Sequence, residues 1–335
     1  MQGAVGMDRF NIYGIGNGIM DLQLQVSDEV LAQLGLEKGS FRLVGVKEQQ
    51  SLLEFFHGEK VKQSSGGSAA NTIIAASQLG AKAAYSCMLG GDNYGEAYRT
   101  EFKKLGIVLE GGIHRELMSG TCVILITPDA ERTMNTHLGA SALFSEKDVS
   151  EVCIKACEWL YVEGYLFSSP AGQAAALHSA ELAKKQGVKI AVSFADSFIV
   201  ENFRSPLEAV LRHADLIFAN ANEARAYVGE DSEDRVFGEL KKKFPNGIMT
   251  LRERGARVFL GGEEFHVPSY SVKAVDETGA GDMFAGGFLY GITHGYSPQA
   301  SAKLACFLAS RVVTQVGPRL SGNLRELEGI GEVLR

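Results

Sequence analysis

The sequence predicts an α/β fold: three layers, a mainly parallel sheet with helices on both faces, plus a small β-sheet lid. Three observations carry this. Strand-like and helix-like segments alternate along most of the chain. With 335 residues, 45% of them apolar, the chain can bury one large core. Two segments, residues 21–26 and 121–137, break the alternation with strand patterns of their own.

Taken in order, residues 10–16 read as a buried strand entering a glycine turn, and 69–79 as a helix. Residues 83–89 and 94–105 follow as strand and helix. Then come 159–162 (strand), 171–186 (helix), 188–194 (strand), 206–213 (helix) and 216–219 (strand). Helices at 223–228 and 233–244 precede strands at 247–251 and 258–260. The last third is helical over 280–294 and 298–315. Strands spaced by helices in this way form parallel sheets covered on both faces.

The exceptions have the two-residue period of strands. Residues 21–26 alternate polar and apolar, as a half-exposed strand does. Residues 122–127 and 132–137 flank Pro128-Asp129 and read as a hairpin. Both segments together make the lid. The expected division is a large α/β nucleotide- and substrate-binding domain (1–20, 65–112 and 139–335) and a small β lid (21–64 and 113–138). The six residues ahead of Met7 read as an extension outside the fold.

A formal charge of −7 and a pI near 5.6 argue against a nucleic-acid partner. Lys241-Lys242-Lys243 reads as the solvated face of a helix. No apolar run is long enough to span a bilayer, and no basic, then apolar, leader opens the chain, so it reads as cytoplasmic. Five cysteines, without paired spacing, argue against a disulfide framework. Cys153 and Cys157 lie four apart on an expected helix, but no histidine stands nearby at ligand spacing, and they read as core.

Chemistry concentrates in short segments. In Asp276-Glu277-Thr278-Gly279-Ala280-Gly281-Asp282, three small residues precede an acid at the start of an apolar helix. Such a helix start offers backbone N–H groups to an anion, and its dipole keeps the carboxylate ionised. The pair suits phosphoryl transfer, with Asp282 taking the proton of an attacking hydroxyl. A plain glycine turn with a first-turn aspartate is the other reading.

Gly14-Ile15-Gly16-Asn17-Gly18 mimics a dinucleotide loop, but a strand rather than a helix is expected after it, which argues against that use. Asn17 and Asp21 then lie where sheet meets lid, placed to bind vicinal sugar hydroxyls, or as a turn asparagine and a strand-capping aspartate. The Ser64-Ser65-Gly66-Gly67-Ser68-Ala69-Ala70-Asn71 loop allows close ligand approach, with Ser68 as helix cap and Asn71 reaching the same pocket, or serves as a structural loop. Asn220 and Glu223 follow a strand at the sheet's carboxyl edge and fit either an orienting pair for hydrated Mg²⁺ or an ordinary helix cap. Thr250-Leu251-Arg252-Glu253-Arg254-Gly255 ends another strand at that edge, a position suited to border a nucleotide. Neither a GxxxxGK[ST] loop nor a GxSxG elbow is present.

These segments, in this order, resemble the ribokinase-like (PfkB) family of carbohydrate and nucleoside kinases over residues 12–317, and the 16–21 and 65–71 segments look most like its adenosine kinase branch. The resemblance implies an ATP- and Mg²⁺-dependent kinase acting on a primary hydroxyl of a nucleoside, or alternatively a ribose- or fructose-type sugar; a catalytically silent ligand-binding relative is a further alternative. It implies Asp282 as general base, and the amides of Gly279, Ala280 and Gly281 as anion hole, with Arg132 reaching in from the lid. Asn17, Asp21, Gly66, Gly67, Ser68 and Asn71 would hold the acceptor, with Leu138, Tyr165 and Phe167 as apolar candidates. Asn220, Glu223, Thr250, Arg252, Gly255 and Cys306 would serve ATP, Glu223 also holding Mg²⁺ through water. Asp276 and Thr278 fall near where relatives bind an activating monovalent cation such as K⁺. Arg252 stands where many relatives have glycine, and Glu277 where threonine or asparagine is usual. The exposed lid leaves monomer and homodimer both open.

Overall fold

A computed structural model describes residues 9–333; the expected extension ahead of Met7 lies outside the described residues. The strands are β1 (Phe10–Ile15), β2 (Ile19–Gln25), β3 (Phe41–Leu43), β4 (Lys62–Gly66), β5 (Ala83–Gly90), β6 (Val108–His114), β7 (Gly120–Ile126) and β8 (Arg132–His137). β9 (Cys157–Val162), β10 (Lys189–Ser193), β11 (Leu216–Asn220), β12 (Gly247–Thr250), β13 (Ala256–Leu260) and β14 (Glu263–Val267) complete them.

Nine strands form one sheet in the order β14-β13-β12-β11-β10-β9-β1-β5-β6. Every pair from β6 across to β12 is parallel, and only the β12–β13 and β13–β14 pairs are antiparallel. Side chains alternate between two apolar cores, as the strand period of two requires. Ile12, Trp159 and Tyr161 enter the core under the helices Ser68–Gln78, Ala280–Thr293 and Pro298–Val312. Tyr13, Ile15, Leu160 and Val162 enter the other, under Pro170–Lys185, Arg204–Leu211 and Glu233–Lys243. This is the expected three-layer α/β body.

The second sheet has five strands, ordered β3-β8-β7-β2-β4. β7 and β8 form the expected hairpin, and β2 joins it by pairing with β7 in parallel. Met20, Leu22 and Leu24 of β2 pack under the helices Asp28–Gln33 and Val46–Phe55 with Val123 and Leu125. The opposite face presents Ile19, Cys122 and Ile124 toward the large body.

Two expectations need correction. β2 is not half-exposed: Asp21 and Gln23, its polar face, are 5% and 2% exposed, because that face looks across a cleft at the body rather than at solvent. Cys153 lies on the helix Glu151–Ala156, but Cys157 opens β9, so the two do not share a helix. All five cysteines are buried free thiols. No described helix is long and apolar enough to cross a membrane.

Candidate active site

Parallel sheets leave a crevice beyond the carboxyl ends of their strands. Here the ends of β9, β10, β11 and β12 open into a cavity of about 1050 Å³, roofed by the small sheet. The helix Ala280–Thr293 starts at its floor. Gly279 is the N-cap, in the left-handed region at φ 78°, and no side chain caps this helix. The first-turn amides are therefore left for something else. Ala280 is the exception, since its N–H turns back to the Glu277 carbonyl at 3.3 Å. Those of Gly279, Gly281 and Asp282 meet no acceptor among the described residues.

Asp282 sits in that first turn, half-buried, on the cavity wall. Ser68 Oγ donates to its Oδ1 at 2.6 Å and Asn71 Nδ2 to its Oδ2 at 3.0 Å. Burial raises its pKa above the usual carboxylate range, opposed by these two hydrogen bonds and by the Arg132 charge. The expectation that the helix dipole keeps it ionised thus gives way to a balance of burial and partners. Ser68 is not a helix cap. Gly67 takes that position, at φ 96°, and a Cβ there would overlap the Asn17 carbonyl oxygen. Ser68, released from capping, is free to hold Asp282.

Asn71 keeps one atom in reserve: its Oδ1 is buried and finds no donor among the described residues. A buried amide oxygen without a donor is costly unless a ligand supplies one. Asn71 lines the cavity together with Asn17 and Asp21. Asp21 lies against Gly66, and burial pushes its carboxyl up to about 7 despite the Arg319 charge. The Asn17 side-chain oxygen accepts from the Ser141 hydroxyl at 2.9 Å.

The sequence offered no reason to single out Glu163, which organises this side of the cavity. It follows β9 and is 1% exposed. Its Oε1 accepts from the Asn17 N–H and Nδ2, both at 3.2 Å, and its Oε2 from the Ala69 N–H at 2.6 Å. It thereby ties the Asn17 turn to the helix that carries Ser68 and Asn71. Burial raises it to about 7. Its only signal in the sequence is an acid placed directly after an apolar strand. Ser141 is a second residue without a signal.

The roof is apolar beside Asp21. Ile19, Ile124, Met134 and the half-buried Leu138 face the cavity. Tyr165 lines it too, its ring 4.9 Å from that of Phe41 on β3. Phe167 does not; it is fully buried in the core below the sheet. Arg132 reaches down from β8, its Nη1 donating to the Glu277 carbonyl at 2.9 Å.

At the other end stand Thr250, Arg252, Gly255 and Cys306. Asn220 is the N-cap of the helix Ala221–Val228, and Glu223 returns the bond to the Asn220 N–H at 2.9 Å, a capping box. Burial raises Glu223 to about 8. It remains on the cavity wall, where a bound cation would restore its ionised form. Among the described residues no cluster of three or more His, Cys, Asp or Glu could cage a metal. A single carboxylate suits Mg²⁺, which keeps its waters and leans on substrate oxygens. Asp276, wholly buried, spends both oxygens on protein donors, the Thr278 N–H and hydroxyl at 2.8 and 2.5 Å and the Gly317 N–H at 2.7 Å.

With this geometry in view, comparison with known proteins finds a match to the family model "pfkB family carbohydrate kinase" over residues 42–324. The chain is 28% identical to the adenosine kinase of Saccharomyces cerevisiae over 326 residues, covering 91% of this chain and 95% of that one. Its fold superposes on a probable sugar kinase from Rhizobium etli with TM-score 0.92 at 30% identity, spanning 98% of this chain and 100% of the other. The adenosine kinase of Sinorhizobium meliloti gives TM-score 0.90 at 32% identity, with 94% and 97% covered.

Proposed function

The chain belongs to the pfkB family of carbohydrate kinases, and from that premise we propose that it transfers the γ-phosphoryl group of ATP to the primary hydroxyl of a nucleoside. One observation carries the reading. Asp282, held by Ser68 and Asn71, stands beside the unpaired amides of Gly279, Gly281 and its own N–H, on the cavity that Asn17 and Asp21 share.

The acceptor's sugar hydroxyls donate to Asp21 and to the free Asn71 Oδ1. This brings the primary hydroxyl to Asp282, whose raised pKa suits it to accept a proton. As that proton moves to Asp282, the hydroxyl oxygen bonds to the γ-phosphorus, the bond to the β-phosphate oxygen breaks and ADP departs. Charge on the migrating group falls on the free amides and on Arg132. Mg²⁺, placed by Glu223 through water, would neutralise phosphate oxygens when bound. The small sheet acts as a lid that excludes water during transfer.

A nucleoside is favoured over a free sugar by the apolar roof of Ile19, Ile124, Met134 and Leu138, which would cover a base and would be idle over a ribose alone. The names of the yeast and Sinorhizobium relatives agree. The Rhizobium sugar kinase keeps sugars in the test. ADP release should be measured with ATP and a panel of nucleosides, ribose and fructose. Turnover with a purine or pyrimidine nucleoside is expected. Turnover with sugars alone would overturn the acceptor, and none at all would overturn the reaction.

A further inference from the structure

Three charged residues at the cavity rim have no part in the transfer just described. Glu131 ends the β7–β8 turn, directly before Arg132. Glu277 lies two residues before the Gly279 cap. Arg252 sits in the short turn after β12 and spans the gap between them: its Nη2 is 3.4 Å from Glu131 Oε2 and 3.4 Å from Glu277 Oε2. Backbone contacts follow the same line, with the Glu277 N–H donating to the Ala130 carbonyl at 3.5 Å and Arg132 Nη1 to the Glu277 carbonyl at 2.9 Å. The hairpin tip of the small sheet thus meets the large body at the segment that leads into the anion-binding amides.

Arg252 takes a conformation that its residue type disfavours. Its φ is 53°, in the left-handed region, where glycine fits without strain. An arginine here is strained, and its side chain is spent on two carboxylates, one on the hairpin turn of the small sheet and one on the loop that leads into the helix Ala280–Thr293.

We propose that Arg252 is a positioning residue. It ties Glu131 to Glu277 and so holds the hairpin tip, with Arg132, over the Gly279–Asp282 turn. The proposal rests on the phosphotransfer reading for what Arg132 does there, not for the tie itself. Its side chain is more than half exposed, so the tie is weak, screened by salt and easily released when the lid opens.

The test compares Arg252→Gly, Arg252→Lys, Glu131→Gln and the Arg252→Gly/Glu131→Gln double variant of the full chain. Two readouts are used: kinetics with the best acceptor, and amide hydrogen exchange over residues 127–132 without substrates. Arg252→Gly and Glu131→Gln should each lower kcat by about 3- to 10-fold, with KM for ATP changed less than about 2-fold, and the double variant should be no worse than the worse single. Arg252→Lys should recover part of kcat at low salt and lose it at high salt. Exchange in the hairpin tip should quicken in Arg252→Gly while its thermal midpoint holds or rises, because glycine suits the backbone.

Effects that add independently would overturn the tie. So would a rise in KM for ATP confined to the Arg252 variants, which would put the guanidinium on the phosphoryl donor instead. Unchanged exchange in the hairpin tip would overturn it as well. That arm needs no turnover, so a chain inactive toward every acceptor would refute the kinase reading while leaving the tie to be decided by exchange alone.

Discussion

Asp282 has two hydrogen-bond donors, and its neighbour Gly281 has empty space. Nothing lies within 4 Å of where a Cβ on Gly281 would project, and the residue is exposed toward the cavity. Gly281→Ala should therefore leave stability within ~1 kcal/mol of the parent, or raise it, since alanine is the better helix former. In the proposed reaction the added methyl enters the space of the phosphoryl group, so kcat/KM for ATP should fall by about 10-fold or more. Thermal melts beside steady-state kinetics check this, and an unchanged kcat/KM would move the anion site elsewhere. At this scale the sequence was legible where chemistry is packed into short runs. Residues 276–282 and 64–71 each announce a glycine-framed helix start, and the structure brings both starts to one carboxylate. Glu163 and Ser141 were illegible for the opposite reason: each is a lone polar residue whose partners, Asn17 and Ala69, are far away in the chain.

Among the elements, the apolar strands of the body were readable because both of their faces are buried, and its helices because a buried face recurs at helical spacing. β4 was not: Lys62-Gln63-Ser64-Ser65-Gly66 has no apolar side chain, and it is a strand only because β2 lies beside it to pair with. β6 carries two glycines, and β3 is three residues long. The alternation in β2 was legible as a strand and misleading as to surroundings, since a polar face turned to a ligand cleft has the same period as one turned to water. The junction between β4 and the helix Ser68–Gln78 shows how an element places chemistry. Gly67 takes φ 96° and packs against the Asn17 carbonyl, which fixes the direction in which Ser68 and Asn71 leave. Gly67→Ala combines backbone strain with overlap and should cost at least about 2 kcal/mol in denaturant unfolding. A loss under about 0.5 kcal/mol would mean that this turn is not constrained as described.

Across the whole molecule, the cavity gathers carboxyl groups that burial makes reluctant to ionise. Asp21 and Glu163 are raised to about 7 and Glu223 to about 8, from ordinary values of 3.8, 4.5 and 4.5. Between those limits the folded chain holds protons that the unfolded chain has released, so this contribution to stability is present at low pH and is lost as pH rises through 7 to 8. Carboxyls shifted the other way, such as Asp129, held at about 2 by Lys38, act only at lower pH. The thermal midpoint of the ligand-free protein should therefore fall between about pH 5.5 and about pH 8.5, and a midpoint rising over that range would contradict the burial of these groups. The three-layer body was predictable from the alternation of strands and helices, and the small sheet from the two segments that break it. The cavity between them was not, because it is formed by residues from both sheets whose facing is set only by the assembled fold. The chemistry of this cavity turns on Asp282 accepting the acceptor's proton, which turnover of Asp282→Asn alongside calorimetric binding of the acceptor tests most directly. The amide keeps the shape and loses the base, so turnover should drop by roughly 100-fold or more while binding persists. Turnover near that of the parent, with binding intact, would contradict the account.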